Sequence, residues 1–145
     1  MPKLALLACL AATLFMTGVI WFVHVVHYPL FDRVAVESFR RYHAEHTRTT
    51  TFVVLFPMVV ELVASFALVV DRPEGTKPWM AWLGLALAVA TWAMTFFLSV
   101  PEHGRLASGF DVESHRRLVS TNLFRAITWT GHSAVLLVMT ARALR

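Results

Sequence analysis

Cys9 is the only cysteine in the 145-residue chain. That scarcity excludes a disulfide framework, a Cys-x-x-Cys redox pair and a c-type haem attachment site. Charge is scarce too: Asp, Glu, Lys and Arg make up 15% of the residues, against 57% hydrophobic residues and a mean hydropathy of +0.62. Soluble domains carry about 25% charged residues, so the composition excludes that class. The net charge of +4 comes from basic residues at the ends of apolar runs, where membrane proteins keep them, and forms no patch for nucleic acid. There is no low-complexity tract and no internal repeat.

What the chain has in abundance is apolar helix. A bilayer core about 30 Å thick needs roughly 20 apolar residues, and four runs meet that length: Leu4 to Val26, Thr49 to Val70, Trp79 to Val100 and Leu118 to Ala141. The expected fold is all-α, a single integral membrane four-helix domain over residues 1–145, with spans at 4–27, 49–70, 79–100 and 118–141. Helices 2 and 4 should extend beyond the membrane on one side. Leu6-Leu7-Ala8-Cys9 resembles a lipoprotein cleavage box, yet hydrophobicity continues past it to Val26, which reads as a retained span.

Punctuation sets the boundaries. Pro29 should stop the first helix, and Asp32 offers an N-cap for the second. Val34 to Arg48 is amphipathic, with Glu37 and Arg41 spaced to pair. No breaker separates it from Thr49, so one long helix should reach Val70, with Pro57 releasing the carbonyl of Val53. Asp71 to Pro78 is a turn, Pro101 should end the third helix, and Asp111 after Gly109 should cap the fourth.

This topology returns both odd-numbered connections to one side, and six of the seven histidines lie there: His24, His27, His43, His46, His103 and His115. His24/His27 and His43/His46 are i, i+3 pairs, the spacing that places two helical side chains on one face. The second helix continues that stripe through Thr50, Val54 and Pro57 to Glu61. The fourth carries His115, Leu118, Asn122, Arg125, Trp129 and His132 on one face. An ionised group at mid-span costs about 2.5–3.5 kcal/mol on insertion scales, so Glu61 and Arg125 should face inward and compensate each other or a ligand.

Imidazoles with nearby carboxylates suit copper, iron or zinc. The expected ligands are His24, His27, His43, His46, His103 and His115, with Glu45 and Glu102 as ligands or partners orienting an imidazole. This surplus over a four-ligand structural site favours a dinuclear centre, or a mononuclear one with acid–base residues beside it. Gly18 before His24-x-x-His27-x-Pro29, Pro57, the Val-Pro-Glu-His-Gly-Arg-Leu stretch at 100–106 and Asn122-x-x-Arg125-x-x-x-Trp129 resemble the anthrone-oxygenase-like family of small four-span membrane proteins. The resemblance implies oxygenation of an aromatic, hydrophobic substrate; the histidine-rich junctions depart from it.

The expectation is a membrane-embedded, metal-dependent oxidoreductase, an oxygenase acting on a lipophilic small molecule. Asn122 and Arg125 would position an anionic or carbonyl oxygen, and Glu61 would relay protons. The alternatives are a b-haem electron-transfer protein, for which i, i+3 pairs are surplus, and a non-catalytic metal carrier or assembly factor. Seven basic residues on the His-rich side against five opposite place that side in the cytoplasm of a bacterial inner membrane. Gly84 and its neighbouring alanines permit close helix contact, within the chain or in a homo-oligomer.

Overall fold

The computed structural model describes residues 1–145. Helix α1 (Pro2–Phe22) runs into a π-helical turn at Val23–His27 and a 3-10 turn at Pro29–Arg33. Helix α2 (Val36–Val70) is continuous through Pro57, so the amphipathic segment and the apolar run form one rod. Helix α3 (Pro78–Met94) passes through a second π turn, Thr95–Ser99, into the short α4 (Val100–Leu106), and α5 (Val112–Ala143) closes the chain. There are no strands.

Three continuous helical stretches are long and apolar enough to cross a membrane: Pro2–Arg33, Val36–Val70 and Pro78–Leu106. α5 has the length but carries Asn122, Arg125, His132 and Ser133, all buried, within its middle. Its polarity is turned inward. The helices form a bundle in which α1 packs on α2 and α5, and α3 packs on the same two.

Three apolar clusters fill the bundle: Leu6, Leu68, Met80, Leu136 and Met139 at one end; Met16, Ile20, Met58, Ala126 and Trp129 in the middle; Val23, Phe31, Phe39, Leu106 and Leu118 at the histidine-rich end. Outside, Phe52, Phe56, Phe66 and Phe97 are exposed. An apolar exterior of that extent would aggregate in water and is at home against lipid tails. Lipid also removes the hydrophobic drive for helices to associate, leaving close packing and interhelical hydrogen bonds to hold them. Such bonds are present: Trp21 Nε1 donates to Thr130 Oγ1 at 2.9 Å, and Thr17 and Ser133 hydroxyls lie 2.8 Å apart.

Several boundaries differ from expectation. Asp32 is not an N-cap; it pairs with Arg33 at 3.3 Å, and α2 begins after Ala35 with no side-chain cap. Pro101 does not end a helix. It sits in the first turn of α4, where a missing N–H costs nothing, so Glu102 and His103 are helical rather than in a loop. Glu37 and Arg41 form no ion pair, whereas Asp111 caps α5 as its position predicts, its Oδ2 accepting from Ser114 N at 2.7 Å.

Candidate functional site

The two turns after α1 fold the first junction over the start of α2, and α4 arrives at the same place. His27 from the π turn, His43 and His46 from successive turns of α2, and His103 from α4 gather there. His27 Nε2 and His46 Nδ1 lie 2.7 Å apart, and His43 Nε2 and His103 Nδ1 lie 3.0 Å apart. The two pairs touch, with 5.5 Å between the ring centres of His46 and His103. Tyr28 Oη lies 3.0 Å from His103 Nε2, and Thr50 Oγ1 lies 3.1 Å from His46 Nδ1. Tyr28, His43, His46, His103 and Arg125 border a cavity of about 390 Å³ that no carboxylate lines.

His43 and His46 share a buried face, as the α-helical spacing requires. His24 and His27 do not, because a π turn bonds i to i+5 and rotates residues three apart away from each other. His24 packs edge-on against Trp21 and lines a different groove with Asp32 and His115. His115 donates from Nε2 to the backbone carbonyl of Tyr28 at 2.8 Å. The fully buried Phe31 ring lies between His115 and the cluster, stacked on one and edge-on to His46. Glu45 turns outward to Arg48 at 2.6 Å. Glu102 pairs with Arg105 at 2.6 Å through Oε1, while its Oε2 is buried without a partner.

Burial lowers the proton affinity of His43, His46 and His103, which lie outside the apolar runs at 49–70 and 79–100; the neighbouring imidazoles add to the effect for the last two. His46 is pushed down to about 4 and His103 to about 3. At neutral pH these rings are uncharged and keep a lone pair for a proton or a cation. No group of three or more His, Cys, Asp or Glu side chains is already disposed around one point as a ligand set. The nitrogens face one another in hydrogen-bonded pairs, and the buried His43 Nδ1 has no partner. The residues that could hold an ion are those of the two pairs, which would give up their mutual hydrogen bonds to do so. The donors, all imidazole nitrogen with one phenol oxygen nearby, suit copper, zinc or iron.

Deeper in the bundle lies a second polar group. Glu61 is completely buried, yet Thr13 Oγ1 donates to its Oε1 at 3.0 Å, His132 Nδ1 lies 2.8 Å from the same oxygen, and Trp129 Nε1 donates to Oε2 at 2.9 Å. Glu61 and Arg125 both face inward, as expected, but of the two compensations expected for them the mutual pair does not form. Arg125 lies nearer the junction, its Nη1 donating to Ser99 Oγ at 3.0 Å and Asn122 Oδ1 at 3.1 Å, with its guanidinium 5.4 Å above the Trp129 ring. Depth decides this. Counted from the histidine-rich ends of the apolar runs at about 1.5 Å per residue, Glu61 lies roughly 18 Å in, His132 about 21 Å, Thr13 about 20 Å and Arg125 only about 11 Å.

The sequence reading therefore missed Tyr28, Thr13 and the role of His132. Depth matching along antiparallel runs would have found the last two. For Tyr28 the only signal was its place between His27 and Pro29. The chain matches no family model, no curated protein and no solved structure.

Proposed function

We propose that the chain is a four-span membrane protein, with the polar starts of α2 and α5 projecting on one side, that works as a metal-dependent oxidoreductase. It would be an oxygenase acting on a lipophilic small molecule. The observation that carries this reading is the convergence of four imidazoles from three segments, paired through their nitrogens, with His43, His46 and His103 lining one cavity at the end of the apolar spans. His27, His43, His46 and His103 would hold the ion; His115 sits beyond Phe31 and His24 lines the same separate groove as His115, outside that set. An imidazole-bound redox metal supplies dioxygen activation. The chain's own residues admit an apolar molecule from the lipid beside Val54 and Val100, exclude bulk water through Phe31 and Phe39, and hold a proton on Tyr28 Oη beside His103 Nε2.

The test is elemental analysis of the purified protein with an optical spectrum of the same sample. At least one equivalent of copper or iron without a Soret band is expected; zinc alone would keep the metal site and remove the redox reaction. Less than one equivalent of any transition metal overturns the metal reading, and a Soret band replaces it with haem. A second reading, a metal-free acid–base site on the same cavity, is favoured by the pairwise hydrogen bonds that already satisfy the facing nitrogens. Substrate turnover in metal-stripped protein would select it.

A further inference from the structure

Arg125 has a surplus of donors. Its side chain is 94% buried, since only 6% of the residue is exposed, and it makes no ion pair. The five carboxylate–arginine pairs of the chain engage other residues, and the two carboxylates at comparable burial are already engaged: Glu61 by Thr13, His132 and Trp129, and Glu102 by Arg105. The Nε of Arg125 itself and the neighbouring Asn122 Nδ2 are buried with no partner. A guanidinium stays charged at any physiological pH, and a buried charge without a counter-charge is costly. Arg125 borders the cavity together with Tyr28, Ser99 and His103, and no Asp or Glu does. The cavity volume of about 390 Å³ falls in the range of small-molecule sites.

We infer that Arg125, its guanidinium held by Asn122 Oδ1, forms a binding subsite for an ionised oxygen head, so that the cavity takes a carboxylate-type amphiphile whose apolar body lies along Val54 and Val100. A neutral carbonyl head would accept a hydrogen bond but leave the guanidinium uncompensated. The inference rests on the proposed use of this cavity as a substrate site and narrows it to anionic amphiphiles. A free lipophilic acid and an anionic lipid present the same chemistry to Arg125.

The experiment measures saturable binding of radiolabelled dodecanoate and of 1-dodecanol to the full chain in neutral phosphatidylcholine nanodiscs, with empty nanodiscs subtracted. Charge-assisted hydrogen bonds predict roughly tenfold to a hundredfold tighter binding of the acid. Arg125→Gln should reduce that preference to near unity, whereas Arg125→Lys should retain part of it. Competition by phosphatidylglycerol in the disc would assign the site to a lipid headgroup; no competition would assign it to a free acid. Equal binding of acid and alcohol by the wild type overturns the inference even if Arg125→Gln does not fold, and so does an acid preference that survives Arg125→Gln. Metal content of the same preparation separates the two proposals: acid preference without metal removes only the oxidoreductase reading, and metal without acid preference removes only the subsite.

Discussion

Replacing Glu61 with leucine keeps the volume of the side chain and removes its two oxygens. Three donors then lose their acceptor in a site with no exposure: Thr13 Oγ1, Trp129 Nε1 and His132 Nδ1. Thr13 can turn to a backbone carbonyl of its own helix, as Thr17 does toward Thr13 at 2.8 Å. Trp129 and His132 have no such recourse, and His132 Nε2 is already unpartnered. At about 1–3 kcal/mol per orphaned buried donor, the loss is about 2–6 kcal/mol. Glu61→Gln keeps one acceptor oxygen but opposes an NH2 group to a donor, for a loss of about 1–3 kcal/mol. Unfolding in mild detergent, followed by circular dichroism against a denaturant titration, should rank wild type above Glu61→Gln above Glu61→Leu. A Glu61→Leu variant as stable as wild type would refute the reasoning, because it would show that these hydrogen bonds offset nothing beyond the cost of burying the carboxylate.

Acidification should also weaken the fold through the histidine cluster. Since His43, His46 and His103 bind protons less readily folded than unfolded, the unfolded chain takes up more protons as pH falls below about 6.5, and stability drops toward the folded value of about 4 at His46. Melts between pH 7 and 4.5 should show this fall, and His103→Gln should flatten it; an unchanged slope in that variant would count against the cluster as its source. A Cβ on Gly84 would lie 3.3 Å from His132 Nε2, so Gly84→Val should displace His132 from Glu61 and cost about 1–3 kcal/mol, whereas a wild-type melt would mean that the ring has room to move. Asp111→Ala removes the cap on α5 and should cost about 0.5–2 kcal/mol in the same assay, with Asp111→Asn recovering most of it.

The helices were legible because their signals are long and periodic. The α5 stripe proved to be an inward face from Leu118 to His132 but not at His115, the α2 stripe is buried at His43, His46 and Glu61 and half-buried at Thr50, Val54 and Pro57, and Asp111 capped where a short acceptor before a periodic run should. The junctions were less legible. Nothing in Val23–His27 announces a π turn, since its β-branched residues are equally compatible with an α-helix, yet that turn separates His24 from His27. Pro101 carries the same sequence signal as a helix stop or as the first turn of a new helix, and only the preceding π turn makes it the second. The carboxylates were misplaced for a different reason. Glu45 and Glu102 have arginines three residues later in the chain, and such local pairs form before any distant ligand is considered.

The central claim is that one group of imidazoles, and not the histidines at large, forms a metal site. Metal content measured side by side in six single His→Gln variants tests it most directly. Variants at 27, 43, 46 and 103 should lose most of the bound metal, while those at 24 and 115 should retain the wild-type ratio. Equal loss across all six, or none in any, would contradict the account.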